Sequence, residues 1–204
     1  MTQTDPPNFL HLLEEIRAIA QTGLGFSRAP FDRLRYQHLL NVVSREYAAL
    51  GPLQAQQVSE RLTAELGYAT PKVGVSAAVF EPDGRLLLVR RTVDLTWCLP
   101  GGWADVNLSP EASCAKEVVE ESGLIVEVGP LIRIRTRLPG DFGSPHSSFH
   151  LLYLCRRTGG SLAGSIETTD PDFYEIDQPR DWHLDQHEEA LAAREFWRQH
   201  GQPG

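Results

Sequence analysis

Long runs of a single charge are missing from this 204-residue chain. There is no basic stripe, so sequence-independent binding to a nucleic-acid backbone has nothing to rest on, and long RNA or DNA is not an expected partner. No stretch approaches the roughly 18–20 consecutive apolar residues of a membrane span, and no membrane partner is expected. Met1 to Asn8 are polar and proline-bearing, without the apolar core of a secretion signal. Cysteine is scarce: Cys98, Cys114 and Cys155 are odd in number and form neither a CxxC pair nor a zinc spacing. That excludes a disulfide framework and fits a reducing cytoplasm, the expected compartment. Internal repeats and low-complexity tracts are absent too. What remains is 41% apolar and 23% charged residues, enough for a core and against wholesale disorder. The net charge is −8. An acidic protein that acts on an anionic substrate needs metal ions between its carboxylates and the phosphates.

The pattern changes once along the chain. Residues 8–22 read as an amphipathic helix through Leu10, Leu13, Ile16 and Ile19, ended by Gly23 and Gly25. A second helix is expected from Pro30 to a stop at Gly51, with Phe31, Leu34, Leu39, Leu40, Val43 and Tyr47 as its apolar positions, and a third over 54–66. Residues 1–68 therefore read as an all-helical domain and 69–204 as a second domain, with Ala69-Thr70-Pro71 as the boundary. Val73–Phe80 and Arg85–Val89 read as strands around turn residues Glu81-Pro82-Asp83-Gly84. Further strands are expected near 125–137, 148–157 and Phe173-Tyr174, with helices over 109–122 and 186–199. Such a mixture is α+β with a mixed sheet.

The helix at 109–122 carries the chemistry. Ser109 is a good N-cap and Pro110 a good first residue. Glu117, Glu120 and Glu121 fall at i, i+3 and i+4, on about one third of the circumference, with Ala112, Ala115 and Val119 opposite as the expected buried side. Like charges at this spacing repel. A hard cation such as Mg²⁺, which takes oxygen ligands, would neutralise them. The alternative is a solvated acidic face. Pro100-Gly101-Gly102 precedes the helix and lets backbone carbonyls approach a metal.

Gly102, Glu117, Val118, Glu120, Glu121, Gly123 and Leu124 match the Nudix box, G-x5-E-x7-R-E-U-x-E-E-x-G-U with U aliphatic, at its spacing. The chain thus resembles the Nudix hydrolases. Two positions depart: Leu108 stands for the first Glu and Lys116 for the Arg, a joint change consistent with loss of a charge pair as a unit. The stretches GLGFSRAPFDRLRY, PKVGVSAAVF and LPGGWADVNLSPEASCAKEV are similar to a subfamily with an N-terminal helical domain, which includes bacterial CDP-choline pyrophosphatases and related nucleoside diphosphate-X hydrolases.

The resemblance implies a Nudix fold, a mixed sheet between helices, and hydrolysis of a nucleoside diphosphate-X pyrophosphate with Mg²⁺, or Mn²⁺ as a substitute. It implies Glu117, Glu120 and Glu121 as catalytic metal ligands, the Gly101 and Gly102 carbonyls as auxiliary ligands, and a further carboxylate from a later loop, Glu167 first and Asp170 second. It also implies a homodimer. From the residues themselves, Trp103 is a candidate for stacking on a base, against core packing. Arg133 and Arg135, alternating on one strand, are candidates for holding phosphate, against a solvated face. His150, and His146 near it, are candidates for a base or phosphate contact, against surface histidines. Other readings are ADP-ribose, a dinucleotide or a capped RNA end as substrate, or a nucleotide sensor without turnover.

Overall fold

A computed structural model describes residues 9–201; Asn8, where the first helix is expected to begin, and the polar stretch before it lie outside the described residues. The chain separates into two compact units. One runs up to Lys72 and includes Arg137–Ser148; the other comprises Val73–Thr136 and the residues from Phe149 onward. The inclusion of Arg137–Ser148 with the helices is a feature that no local pattern announces.

In the first unit, α1 (Phe9–Phe26), α2 (Pro30–Ala49) and α3 (Ala55–Ala64) pack around Leu13, Ala20, Leu24, Leu40, Val43, Tyr47, Val58 and Leu62. Gln54 and Gln57 cap α3 reciprocally. Gly23 and Gly25 do not end α1; they lie inside it. Both admit close neighbours instead. A Cβ on Gly23 would lie 2.5 Å from the Tyr36 ring, and one on Gly25 would lie 2.8 Å from the Gly67 backbone nitrogen. The buried stripe of α1 also differs from the expected one. It passes through Leu13, Arg17, Ala20, Gln21 and Leu24, leaving Ile19 52% exposed. Polar Gln21 can be buried because its amide donates to the Leu62 and Glu65 carbonyls at 2.7 and 2.9 Å.

The second unit holds two sheets. One has the strand order β4 (Gly101–Trp103), β1 (Lys72–Val79), β6 (Ser148–Gly160), β5 (Leu124–Arg137). The other has β3 (Trp97–Cys98), β2 (Leu86–Arg91), β7 (Thr168–Tyr174). Lys72, Arg137 and Ser148 at the strand ends belong to the helical unit. Strand alternation divides β1 between two cores. Val75, Ala77 and Val79 face Cys114 and Val118 of α4 (Pro110–Ser122), while Ala78, and Phe80 just past the strand, join Ala190 and Ala193 of α5 (Gln186–His200). Sheet between helices is the α+β architecture expected. β3 and β4, of two and three residues, carry no periodic signal of their own. Pairing with β2 and β1 creates them. No described helix is long and apolar enough to cross a membrane.

Candidate active site

Ser109 caps α4 by accepting from the Ala112 N–H at 3.1 Å, Pro110 opens it, and left-handed Gly123 closes it. Its buried residues are Ser113, Cys114, Val118, Glu121 and Ser122. This corrects the expected faces. Ala112 and Val119 are exposed, and of the three apolar positions only Ala115 packs against the core. Cys114 and Val118 must meet the sheet, and Glu121 follows Val118 on the same stripe. The three glutamates therefore do not share one free face. Glu121 is 8% exposed, Glu117 half-buried, and Glu120 exposed.

Glu121 Oε2 accepts the Gly101 N–H at 2.8 Å, and the Thr168 hydroxyl donates to the Glu121 carbonyl at 2.6 Å. Burial pushes the Glu121 carboxyl up to about 7; the Gly101 N–H and the charge of Arg91 act against this, and the charges of Glu117 and Glu167 reinforce it. Burial likewise raises Glu117, with Glu120, Asp105 and Glu167 adding and Lys116 opposing. Glu167 lies on an exposed loop whose backbone is tied to the second sheet, Thr92 N–H donating to the Glu167 carbonyl at 2.8 Å. Glu120 is turned outward onto Lys116 Nζ at 2.8 Å.

The two glycines have different tasks. Ala77 N–H to Pro100 O and Ala104 N–H to Val73 O are rungs of the β1–β4 ladder, and Gly102 pairs with Val75 midway between them. By antiparallel alternation Gly102 directs its backbone groups to β1, and Gly101 directs its own away. The Gly102 carbonyl, expected as an auxiliary ligand, is thus turned inward, 3.3 Å from where a Cβ on Gly74 would stand. Gly102 contributes its missing side chain instead, since a Cβ there would lie 2.7 Å from Glu117 Oε1.

Among the described residues no three His, Cys, Asp or Glu side chains already form a metal cage. The corner nevertheless fits a hard dication. Its donors are oxygens, neighbouring carboxylates add to the raised pKa of both Glu117 and Glu121, and the Glu117 carboxylate occupies a cradle that any Cβ on residue 102 would fill.

Other expected residues lie elsewhere. Trp103 pairs with Gly74 on β1 and is 54% exposed; its ring centroid is 5.4 Å from that of His150. Gly102 faces Glu117, so the Trp103 side chain projects from the opposite side of the strand. Arg133 and Arg135 do not offer open guanidinium groups, which corrects the phosphate role given to them. Arg133 is bound by both carboxylate oxygens of Glu189 at 3.0 and 2.5 Å. Arg135 is bound by Asp185 at 2.7 Å and Glu188 at 2.8 Å. Their partners lie fifty or more residues away, invisible to strand alternation. His146 belongs to the helical unit, where its Nδ1 is 3.0 Å from Glu14. The Asp170 carbonyl accepts from the Tyr174 hydroxyl at 3.1 Å, and its φ is +52°.

Residues 70–199 match the NUDIX domain family, and residues 7–62 match the family described as the UDP-X-like, N-terminal oligomerisation domain. This chain belongs to the Nudix family. The membership places it among the Nudix pyrophosphohydrolases. A Bacillus subtilis protein provisionally named ADP-ribose pyrophosphatase is 33% identical over 171 residues, 83% of this chain and 82% of that one. A crystal structure of a UDP-X diphosphatase aligns over 96% of both chains at 28% identity with a TM-score of 0.58. That of an ADP-ribose pyrophosphatase from Streptococcus suis aligns over 65% of this chain and 96% of its own, at 32% identity and a TM-score of 0.56.

The Nudix box departures now have a structural account. Lys116 bridges Asp105 at 3.0 Å and Glu120 at 2.8 Å. The supporting charge pair is therefore re-formed with Asp105, three residues before Leu108, rather than lost as a unit. Both partners are well exposed, so the pair orients the loop more than it stabilises the fold. Nudix hydrolases generally use divalent metals, in keeping with the oxygen-rich corner.

Proposed function

We propose that this Nudix protein hydrolyses the P–O–P link of a nucleoside diphosphate joined to a second group X, using Mg²⁺ or, as a substitute, Mn²⁺, and releasing a nucleoside monophosphate and phosphorylated X. The observation that carries this reading is Glu121. It is a buried carboxylate with one backbone donor, raised to about 7 by burial and by the charges of two further carboxylates, Glu117 and Glu167. A group so placed gains most from a cation.

Glu117 and Glu121 are the proposed inner ligands, with the outward-facing Gly101 carbonyl as auxiliary and Glu167 reaching in from its loop. Glu120 joins by releasing Lys116. Bound there, the cation would acidify water and stabilise charge on the bridging oxygen. The chain's own part is to orient. Glu117, half-buried and seated against Gly102, accepts a hydrogen bond from the attacking water and sets its line of approach. The water oxygen bonds to one phosphorus, the bridging oxygen leaves with the other, and the water's proton passes to carboxylate or solvent. Trp103, exposed and set against His150, is the proposed platform for the base.

The relatives' names, ADP-ribose pyrophosphatase and UDP-X diphosphatase, support the nucleoside diphosphate-X class; CDP-choline belongs to the same class and stays in the test. The protein is further proposed to be a homodimer built on the helical unit. Phe31 and Leu34 of α2 are 76% and 67% exposed there, and the matched family is one of oligomerisation domains. A monomeric mass by light scattering at micromolar concentration would reject the dimer. For the activity, CDP-choline, ADP-ribose, a UDP-sugar and diadenosine polyphosphates are incubated with Mg²⁺ or EDTA. Metal-dependent release of a nucleoside monophosphate is expected from at least one; saturable nucleotide binding without turnover of any would reject the hydrolase.

A further inference from the structure

A diphosphate brought to a corner of carboxylates needs cations beyond the metal. Lys116 is shared by Asp105 and Glu120, and Arg133 and Arg135 are bound by carboxylates of the α5 segment. Arg91, at the end of β2, is different. In the β2–β7 ladder its Cα partner is Thr168, the residue whose hydroxyl holds the Glu121 carbonyl. One step further, Thr92 donates to the Glu167 carbonyl from both its N–H, at 2.8 Å, and its hydroxyl, at 3.0 Å. The backbone thus fixes Arg91 one strand spacing from the junction of Glu121 and Glu167. Its charge is felt at that junction, by Glu121 and by the buried Cys98 thiol beside it.

The side chain is also held in place. Arg91 Nε donates to both carboxylate oxygens of Asp94, each at 3.2 Å. Asp94 is itself fixed by the Thr96 hydroxyl at 2.7 Å and the Thr96 N–H at 3.2 Å. This clamp uses Nε. Among the described residues, Arg91 Nη1 and Nη2 make no hydrogen bond, and the side chain is 36% exposed. A guanidinium pinned through Nε and open at both ends presents the two parallel donors that match a pair of phosphate oxygens.

We propose that Arg91 binds the substrate diphosphate through its two Nη groups, with Asp94 as the positioning residue that sets the plane of the guanidinium. The inference rests on the glutamate corner being a pyrophosphate site, and its test is separable from turnover. The probe is imidodiphosphate, whose P–N–P link resists hydrolysis, titrated by calorimetry in saturating Mg²⁺; Mg²⁺ alone is titrated in parallel.

R91A is expected to bind imidodiphosphate about ten- to a hundredfold more weakly than the unsubstituted protein. It should bind Mg²⁺ alone no more weakly, because a positive charge has left the corner. R91K should recover part of the loss, retaining charge without the fork. Equal imidodiphosphate affinity in R91A, loss of Mg²⁺ and imidodiphosphate affinity together, or no binding to the unsubstituted protein would each overturn the proposal. Should R91A fail to fold, D94N decides: it keeps the arginine and releases its clamp, and a several-fold loss of imidodiphosphate affinity is expected, whereas an unchanged value overturns. A protein that binds imidodiphosphate through Arg91 yet turns over no nucleotide would sink the hydrolase reading and leave this one standing.

Discussion

The helical unit half-buries Glu14 among partners, whereas the catalytic unit buries Glu121 among rivals. Glu14 receives Arg17 Nε at 2.8 Å and Nη2 at 2.7 Å, the Tyr47 hydroxyl at 3.2 Å, and His146 Nδ1 at 3.0 Å. Against the cost of burial, the hydrogen bonds and charges of His146 and Arg17 hold its carboxyl down to about 2. Glu121 has one backbone N–H, and burial carries it to about 7, with Glu117 and Glu167 adding to the rise. The first carboxylate is complete within the fold. The second is complete only when something positive arrives. Burial alone therefore does not tell structure from function in this molecule; the sign of what surrounds the buried charge does.

Several substitutions would break or sharpen that contrast. The largest effect is expected from E121Q, which removes the charge and keeps the shape: turnover should fall about a thousandfold, as loss of a principal electrostatic stabiliser does, while circular dichroism stays native. E14A should do the reverse. It strands buried Arg17 and should cost about 3–5 kcal/mol in urea unfolding, with the kcat of the remaining folded protein changed little. Next comes pH. In EDTA, the folded Glu121 carboxyl near 7 binds protons more tightly than its ordinary value of 4.5. Its contribution to stability is present below about 4.5 and lost as pH rises through about 7, a change on the order of 3 kcal/mol. Glu14, held near 2, contributes stability above 4.5 that is lost as pH falls towards 2. Thermal unfolding in EDTA should therefore weaken from pH 5 to pH 8 in the unsubstituted protein and much less in E121Q; equal slopes would contradict the assignment. The smallest effect is expected from D105N, which removes one exposed partner of Lys116 and should cost under about 1 kcal/mol, measured in the same assay.

Much of this was readable from the chain, for local reasons. Ser109, Pro110 and Gly123 bound α4 in sequence as they do in space, and the glutamate spacing survives because a box of 23 residues on one strand, loop and helix is a local object. What escaped reading depends on distant partners. Gly23 and Gly25 look like helix stops until Tyr36 and Gly67 are seen against them. Arg133 and Arg135 look open until Glu189, Asp185 and Glu188 close on them. Glu121 looks solvated because its charge hides its membership of the Cys114–Val118 stripe. The strand β4 is too short to show a period, yet its register decides which glycine carbonyl turns outward. Arg91 carried no signal at all, since its significance lies in the Thr168 cross-strand pair and the Asp94 clamp.

If Glu121 is incomplete without a cation, Mg²⁺ must stabilise the folded protein through it. Thermal unfolding is followed at pH 8 with increasing Mg²⁺ for the unsubstituted protein, E121Q and E14Q. A ligand that binds only the folded state raises stability with its concentration. A saturable Mg²⁺-dependent rise in Tm is expected for the unsubstituted protein, a similar rise from a lower start for E14Q, and little or none for E121Q. An equal rise in E121Q, or none in the unsubstituted protein, would contradict it.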